Sequence, residues 1–138
     1  MNFIEYISSI NLRFTDFDSY GIAHHSKYLV WFEECRIRFI DKVDKEGIWK
    51  NYRFLLTHAE VNYKKAVLFD ENYDVHMMLK IDEDIAKIHF SYKIINQENG
   101  RVCATGSTSH IITDDKNRIL IKVPLDFKIM LENAKISS

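Results

Sequence analysis

Two aspartates and two histidines lie close together between a predicted strand and a predicted helix. Asp16 and Asp18 come first, Gly21 follows, and His24 and His25 stand directly before the helix. A carboxylate can act as a general base or a nucleophile, and the first N–H groups of a helix can stabilise a negative oxygen. Aspartates in such connections often only accept hydrogen bonds from backbone N–H groups. These residues alone therefore leave a catalytic and a structural interpretation open.

The hydrophobic pattern predicts the two elements that hold this segment. Residues 6–14 alternate in period two, which indicates a half-buried strand. From Ser26 the period becomes helical, with Ser26 in a position to cap the helix and Gly47 beyond its end. Arg36 projects near the apolar stripe, and we expect it to form an ion pair with Glu33, three residues earlier.

The rest of the chain is predicted to form strands. Alternating patterns cover residues 54–67, 73–81, 87–96 and 101–113, and Asn99-Gly100 is typical of a hairpin turn between the last two. A small helix is expected over residues 125–131, after Pro124. One strand, one helix and four strands predict a single α+β domain over residues 1–138, with an antiparallel sheet wrapped around the helix.

A family resemblance adds to this pattern. The segment Arg13 to Leu29, with Phe32-Glu33-Glu34-Cys35-Arg36 after it, resembles the signature of the 4-hydroxybenzoyl-CoA thioesterase family. The similarity continues through residues 54–70, 88–94 and 100–124, and so covers nearly the whole chain. One departure is Ala66-Val67, where many relatives carry proline-alanine after the second strand. That difference affects the local bend and not the proposed chemistry.

The resemblance implies a fold and a reaction. It implies a hotdog fold, with five antiparallel strands around a long central helix, in homodimers or homotetramers. It also implies hydrolysis of acyl-CoA thioesters, without a cofactor. A thioester carbonyl is already electrophilic, so one carboxylate and a donor for the developing oxyanion are sufficient.

The resemblance also assigns roles to residues of the first segment. Asp18 matches the catalytic aspartate, whereas Asp16 is expected to orient the loop. The backbone N–H near His25 would bind the thioester oxygen, and the His25 side chain could assist. The expected substrate-binding residues are Tyr20, Gly21, His24 and Tyr28. Glu33 is a rival catalytic acid, because other hotdog thioesterases place a carboxylate on the central helix, but its expected pairing with Arg36 argues against that role.

Composition excludes several other classes of protein. The chain has 138 residues, 46% of them hydrophobic, which is enough for one core. With 19 basic and 20 acidic residues, its formal net charge of −1 disfavours nucleic acid and anionic membranes as partners. No long apolar run or basic leader indicates membrane insertion or secretion, so we expect a cytoplasmic protein.

The remaining cysteines and histidines do not predict a further chemical site. Cys35 and Cys103 lack the paired spacing of a disulfide or zinc site and are expected to be buried free thiols. No metal site is predicted from the histidines on separate strands, which are His58, His76, His89 and His110. Three alternatives to the acyl-CoA thioesterase are a non-catalytic acyl-thioester-binding protein, a thioesterase for acyl-carrier-protein substrates, and a dehydratase or hydratase. The hydratase signature is absent from this sequence.

Overall fold

Residues 3–137 form five strands, two α-helices and two short 3₁₀ helices. The computed structural model describes residues 3–137, and side chains up to residue 134. In chain order the elements are β1 (Phe3–Ser9), a 3₁₀ helix (Phe14–Asp16), α1 (Lys27–Val43), a second 3₁₀ helix (Ile48–Asn51), β2 (Tyr52–Tyr63), β3 (Tyr73–Asp82), β4 (Lys87–Asn96), β5 (Val102–Asp114) and α2 (Leu125–Ser137). Neither α-helix in the described range is long and apolar enough to cross a membrane.

The strands form one antiparallel sheet in the order β1-β3-β4-β5-β2. The prediction of an α+β domain with a five-stranded antiparallel sheet is confirmed, as is the β3-β4-β5 meander. Gly100 has a φ of +71° in the turn between β4 and β5, and its N–H donates to the Asn96 carbonyl at 2.9 Å. A positive φ is the conformation that glycine adopts most readily, and it explains why the Asn-Gly pair signals this turn.

The 17-residue helix α1 packs its apolar side against one face of the sheet. The Phe32 ring stacks on Tyr92 of β4 with centroids 4.2 Å apart, and Phe39 meets Tyr6 of β1 at 5.6 Å. Leu29, which the helical period places on the same side of α1 as Phe32 and Phe39, is nevertheless 40% exposed. The predicted buried free thiols are confirmed: Cys35 belongs to α1 and Cys103 to β5, and both are buried.

Several predicted boundaries are corrected by the structure. The first strand ends at Ser9, because its partner β3 begins at Tyr73, whose carbonyl accepts the last bond from the Ile10 N–H at 2.9 Å. Phe14, expected on the buried side of that strand, lies in a 3₁₀ helix and is 81% exposed. The second predicted strand starts two residues earlier and stops at Tyr63 rather than at residue 67, and the C-terminal helix extends to Ser137.

Candidate active site

Asp18 organises a tight loop between β1 and α1. Its Oδ1 accepts hydrogen bonds from the backbone N–H groups of Tyr20 at 2.9 Å and Ile22 at 3.1 Å. The Asp18 N–H donates to the Ile22 carbonyl at 2.9 Å, and Gly21 turns the chain with a φ of +75°. Asp18 is exposed, and its Oδ2 has no hydrogen-bond partner in the described part of the chain. One carboxylate oxygen is therefore fixed by the backbone while the other is free to react.

The start of α1 presents an unpaired backbone donor. Ser26 occupies the N-cap position, but its side chain makes no cap hydrogen bond, because its Oγ lies 2.8 Å from Nδ1 of His24. Within residues 3–137 the His25 N–H has no hydrogen-bond partner, while Tyr63 of β2 donates its hydroxyl to the His25 carbonyl at 3.1 Å. The helix start is thus anchored to the sheet and retains a free N–H group near its positive end.

Asp16 has the structural environment expected of it. It is 5% exposed, and its Oδ2 accepts a hydrogen bond from the Arg13 N–H at 3.0 Å. Its Oδ1 lies 3.7 Å from Nζ of Lys27, the first residue of α1. The Asp16 carbonyl also accepts from the His24 N–H at 2.8 Å. Asp16 therefore holds the loop onto the helix start.

The expected substrate-binding residues do not share one environment. Tyr20 is 85% exposed, and the exposed rings of His24 and His25 lie 4.3 Å apart beside the helix start. Tyr28, by contrast, is only 3% exposed and packs edge-on against Tyr63 with centroids 4.8 Å apart. Tyr28 is therefore a core residue that packs the helix start against β2, whereas Tyr20, His24 and His25 are exposed on the surface.

The expected ion pair between Arg36 and Glu33 is wrong. No carboxylate lies within ion-pair distance of Arg36 among the described residues. Instead its Nη1 donates to the Tyr92 hydroxyl at 2.8 Å, and its guanidinium lies 5.7 Å from the centre of the Phe90 ring. Tyr92 is 56 residues away in sequence, so helical spacing alone favoured the wrong partner. Pairing with Arg36 therefore does not exclude Glu33 from catalysis.

Sequence patterns missed a buried histidine next to this arginine. His110 on β5 is 5% exposed, and its Nε2 lies 3.1 Å from the Thr108 hydroxyl, which in turn lies 2.7 Å from the Tyr92 hydroxyl. Burial lowers the pKa of His110 to about 4, the charge of Arg36 adds to this shift, and the Phe54 backbone opposes it. His110 is therefore neutral at pH 7. The isolated position of His110 in a strand carried no sequence signal for this cluster.

The family assignment rests on a match that spans most of the chain. Residues 12–133 match the sequence model of the thioesterase-like superfamily. This chain belongs to the thioesterase-like superfamily. The match includes the whole loop of Asp18 and the helix α1. It does not single out the narrower 4-hydroxybenzoyl-CoA thioesterase family within the superfamily.

Individual relatives of this thioesterase-like protein agree with the assignment. A protein of Aquifex aeolicus (strain VF5), provisionally named an esterase, is 26% identical over 129 residues, which are 88% of this chain and 94% of that protein. YneP of Bacillus subtilis (strain 168), provisionally named an acyl-CoA thioesterase, is 27% identical over 115 residues, 78% of this chain and 79% of that protein.

A solved structure gives the same result for the fold. The DHNA-CoA thioesterase from Staphylococcus aureus is 25% identical, has a TM-score of 0.76, and the likeness covers 96% of this chain and 91% of that one. Together with the five-stranded sheet, this similarity supports the hotdog fold. The superfamily and its named members support a thioester hydrolase.

Proposed function

We propose that this protein is a cytoplasmic acyl-CoA thioesterase that releases a free acid and CoA, with Asp18 as nucleophile or general base. The observation that supports this most is that two groups of the same short segment, Oδ2 of Asp18 and the N–H of His25, have no hydrogen-bond partner among residues 3–137. Ile22, which Asp18 binds, stands only three residues before His25. In this proposal α1 is the central helix of the hotdog fold.

The carboxylate can perform the reaction in two ways. As a general base, Asp18 takes a proton from water while the water oxygen attacks the thioester carbonyl carbon. The resulting tetrahedral intermediate expels the CoA thiolate, which takes up that proton. As a nucleophile, Oδ2 of Asp18 bonds to the carbonyl carbon, the C–S bond breaks, solvent protonates the thiolate, and water then hydrolyses the mixed anhydride.

Both routes place a negative charge on the former carbonyl oxygen. The free N–H near His25 is suited to that oxygen because it lies at the N-terminal end of α1, where the helix dipole favours an anion. The exposed side chains of His24, His25 and Tyr20, with Gly21 in the turn between them, would contact the thioester or the adjacent part of CoA. Tyr28 would act indirectly, by holding the helix start.

Thiol release tests the proposed activity directly. We expect the purified protein to release CoA from at least one member of a panel of short-chain, long-chain and aromatic acyl-CoA thioesters. A thiol-reactive dye measures the rate, with each thioester in protein-free buffer as control. Hydrolysis of acyl-carrier-protein thioesters alone would contradict CoA as the carrier. If the folded protein binds acyl thioesters but cleaves none, it is a non-catalytic binding protein.

The open edges of the sheet favour an oligomer. Strand β2 forms one edge, is 12 residues long, and is exposed along most of its length, including Leu55, Leu56 and Tyr63. An exposed edge of this length favours pairing with a second chain. Antiparallel pairing of two β2 strands would bring the Tyr63 end of one beside the Tyr52 end of the other, and so would cover the exposed helix start that Tyr63 anchors.

We therefore expect a homodimer or a dimer of dimers in solution. The prediction is checked by light scattering coupled to size-exclusion chromatography at micromolar protein concentration. A mass near that of one 16.4 kDa chain at that concentration would contradict it.

A further inference from the structure

A concave site apart from the Asp18 loop, which we call the second pocket, lies between α1, the second 3₁₀ helix and the start of β2. Its volume is about 470 Å³, within the range of roughly 300–1,000 Å³ that is typical of small-molecule sites. Trp49 and Phe54 form one wall, with stacked rings 3.8 Å apart, and Ile37 and Ile40 of α1 add apolar surface. Arg36 lies nine residues after the first residue of α1, which is about 14 Å along the helix at 1.5 Å per residue. Within one chain this pocket is therefore separate from the helix start.

The charged side chains that line this pocket differ in how far they are buried. Arg36 is half-buried, and the only hydrogen bond it forms among residues 3–137 goes to the Tyr92 hydroxyl. Glu33, Asp41 and Arg53 are exposed at the rim, where water and salt screen their charges. Arg53 already forms a hydrogen bond, because its Nη1 donates to Oδ1 of Asn117 at 2.7 Å. The least screened charge in the pocket is therefore positive and lacks an anionic partner.

A chain of hydrogen bonds lies behind the pocket. Arg36 can only donate, so the Tyr92 hydroxyl accepts from it, and the Tyr92 and Thr108 hydroxyls lie 2.7 Å apart. The Thr108 hydroxyl also lies 3.1 Å from Nε2 of His110. His110 is 95% buried in the pocket wall, and its Nδ1 is enclosed by protein, so it is not open to a ligand. The donor that the pocket offers is therefore Arg36, which the Tyr92 hydroxyl holds in place.

We propose that this pocket binds a flat aromatic acid, with the ring against Trp49 and Phe54 and the carboxylate at Arg36, beside His110. A guanidinium matches a carboxylate in geometry and charge, and a charged hydrogen bond is strongest where water is partly excluded. An aromatic ring fits the stacked wall better than a flexible chain of equal size. Binding of the acid itself does not require thioester hydrolysis.

Benzoate is the probe for this site, and benzamide is its uncharged counterpart. Isothermal titration calorimetry at pH 7 should show that the full chain binds benzoate at millimolar or lower concentration. The protein is used in the assembly that it forms in solution. Arg36→Met should weaken benzoate binding about tenfold or more, since a charged hydrogen bond is lost. Arg53→Met is the matched control: it removes the same charge from the rim, and we expect less than a twofold change.

Four results would overturn the proposal. These are no benzoate binding to the folded wild type, equal binding of benzamide, equal loss in both arginine variants, or unchanged benzoate binding by Arg36→Met. Because Arg36→Met could also loosen the fold, ¹⁵N NMR of the wild type provides a second test. It should show a shift of the Trp49 indole N–H resonance on addition of benzoate, because the bound ring contacts that indole. A Trp49 resonance that does not respond to saturating benzoate would also contradict the site.

Discussion

Asp18→Asn should lower the rate of thioester hydrolysis about 100-fold or more without unfolding the protein. The asparagine oxygen can still accept the two backbone hydrogen bonds from Tyr20 and Ile22, so the loop keeps its shape. The amide nitrogen then replaces Oδ2, which removes the negative charge and the basic lone pair that either mechanism requires. The measurement is kcat/KM on the best acyl-CoA substrate, with circular dichroism to confirm folding.

A matched control separates this chemistry from loop structure. Asp82 accepts a hydrogen bond from the Asp84 N–H at 3.1 Å, much as Asp18 does in its own loop, but it lies at the end of β3. Asp82→Asn should leave hydrolysis close to that of the wild type. Asp16→Asn should impair hydrolysis less than Asp18→Asn, because Asp16 holds the loop rather than the substrate. Near-normal turnover by Asp18→Asn would show that the assignment is wrong.

Glu33 remains the rival carboxylate, and the structure makes its test more important. The expected ion pair with Arg36 does not form, so Glu33 stands exposed on α1 beside the second pocket. We expect Glu33→Gln to retain most of the activity. If Glu33→Gln abolishes turnover while the fold is intact, the catalytic carboxylate lies on the helix, as in other hotdog thioesterases.

Gly106→Val should lower the free energy of unfolding by about 3 kcal/mol, because there is no room for a side chain at this position. A Cβ atom on Gly106 would lie 2.5 Å from Cε2 of Phe32 and 2.8 Å from the Glu60 carbonyl oxygen. Phe32 cannot move away easily, since it is fully buried and stacked on Tyr92. Valine favours strands, and it restricts the unfolded chain more than glycine does. Both effects would raise the free energy of unfolding, so a measured decrease reflects the clash.

The adjacent residue provides the control for this substitution. Ser107 points to the opposite face of β5, where its hydroxyl bonds Glu60 at 2.9 Å. Ser107→Val introduces the same side chain and should change the free energy of unfolding by less than about 1 kcal/mol. Urea denaturation of both variants measures the difference. Equal stability of Gly106→Val and the wild type would mean that α1 does not approach β5 as closely as the structure shows.

Elements whose patterns depend on nearby residues could be predicted from the sequence alone. Period-two alternation located β3 and β4 to within one residue at each end, and the Asn-Gly pair located the turn before β5. The helical period placed the start of α1 one residue from its observed position. The roles of Asp16 and Asp18 were not separated by their spacing, because aspartates in such a connection can also serve only as hydrogen-bond acceptors; the resemblance to a thioesterase family distinguished them.

Features that depend on distant residues could not be predicted from local patterns and became visible only in the folded chain. The first strand stops at Ser9 because β3 begins at Tyr73, although the alternating pattern continues beyond that point. Arg36 binds Tyr92 on β4 rather than Glu33 on its own helix, because packing α1 on the sheet brings that hydroxyl within 2.8 Å. The neutral state of His110 follows from burial, which no local pattern encodes. Hydrophobic periodicity reports which face of an element is buried, whereas the partner on that face is set by the packing of the whole fold.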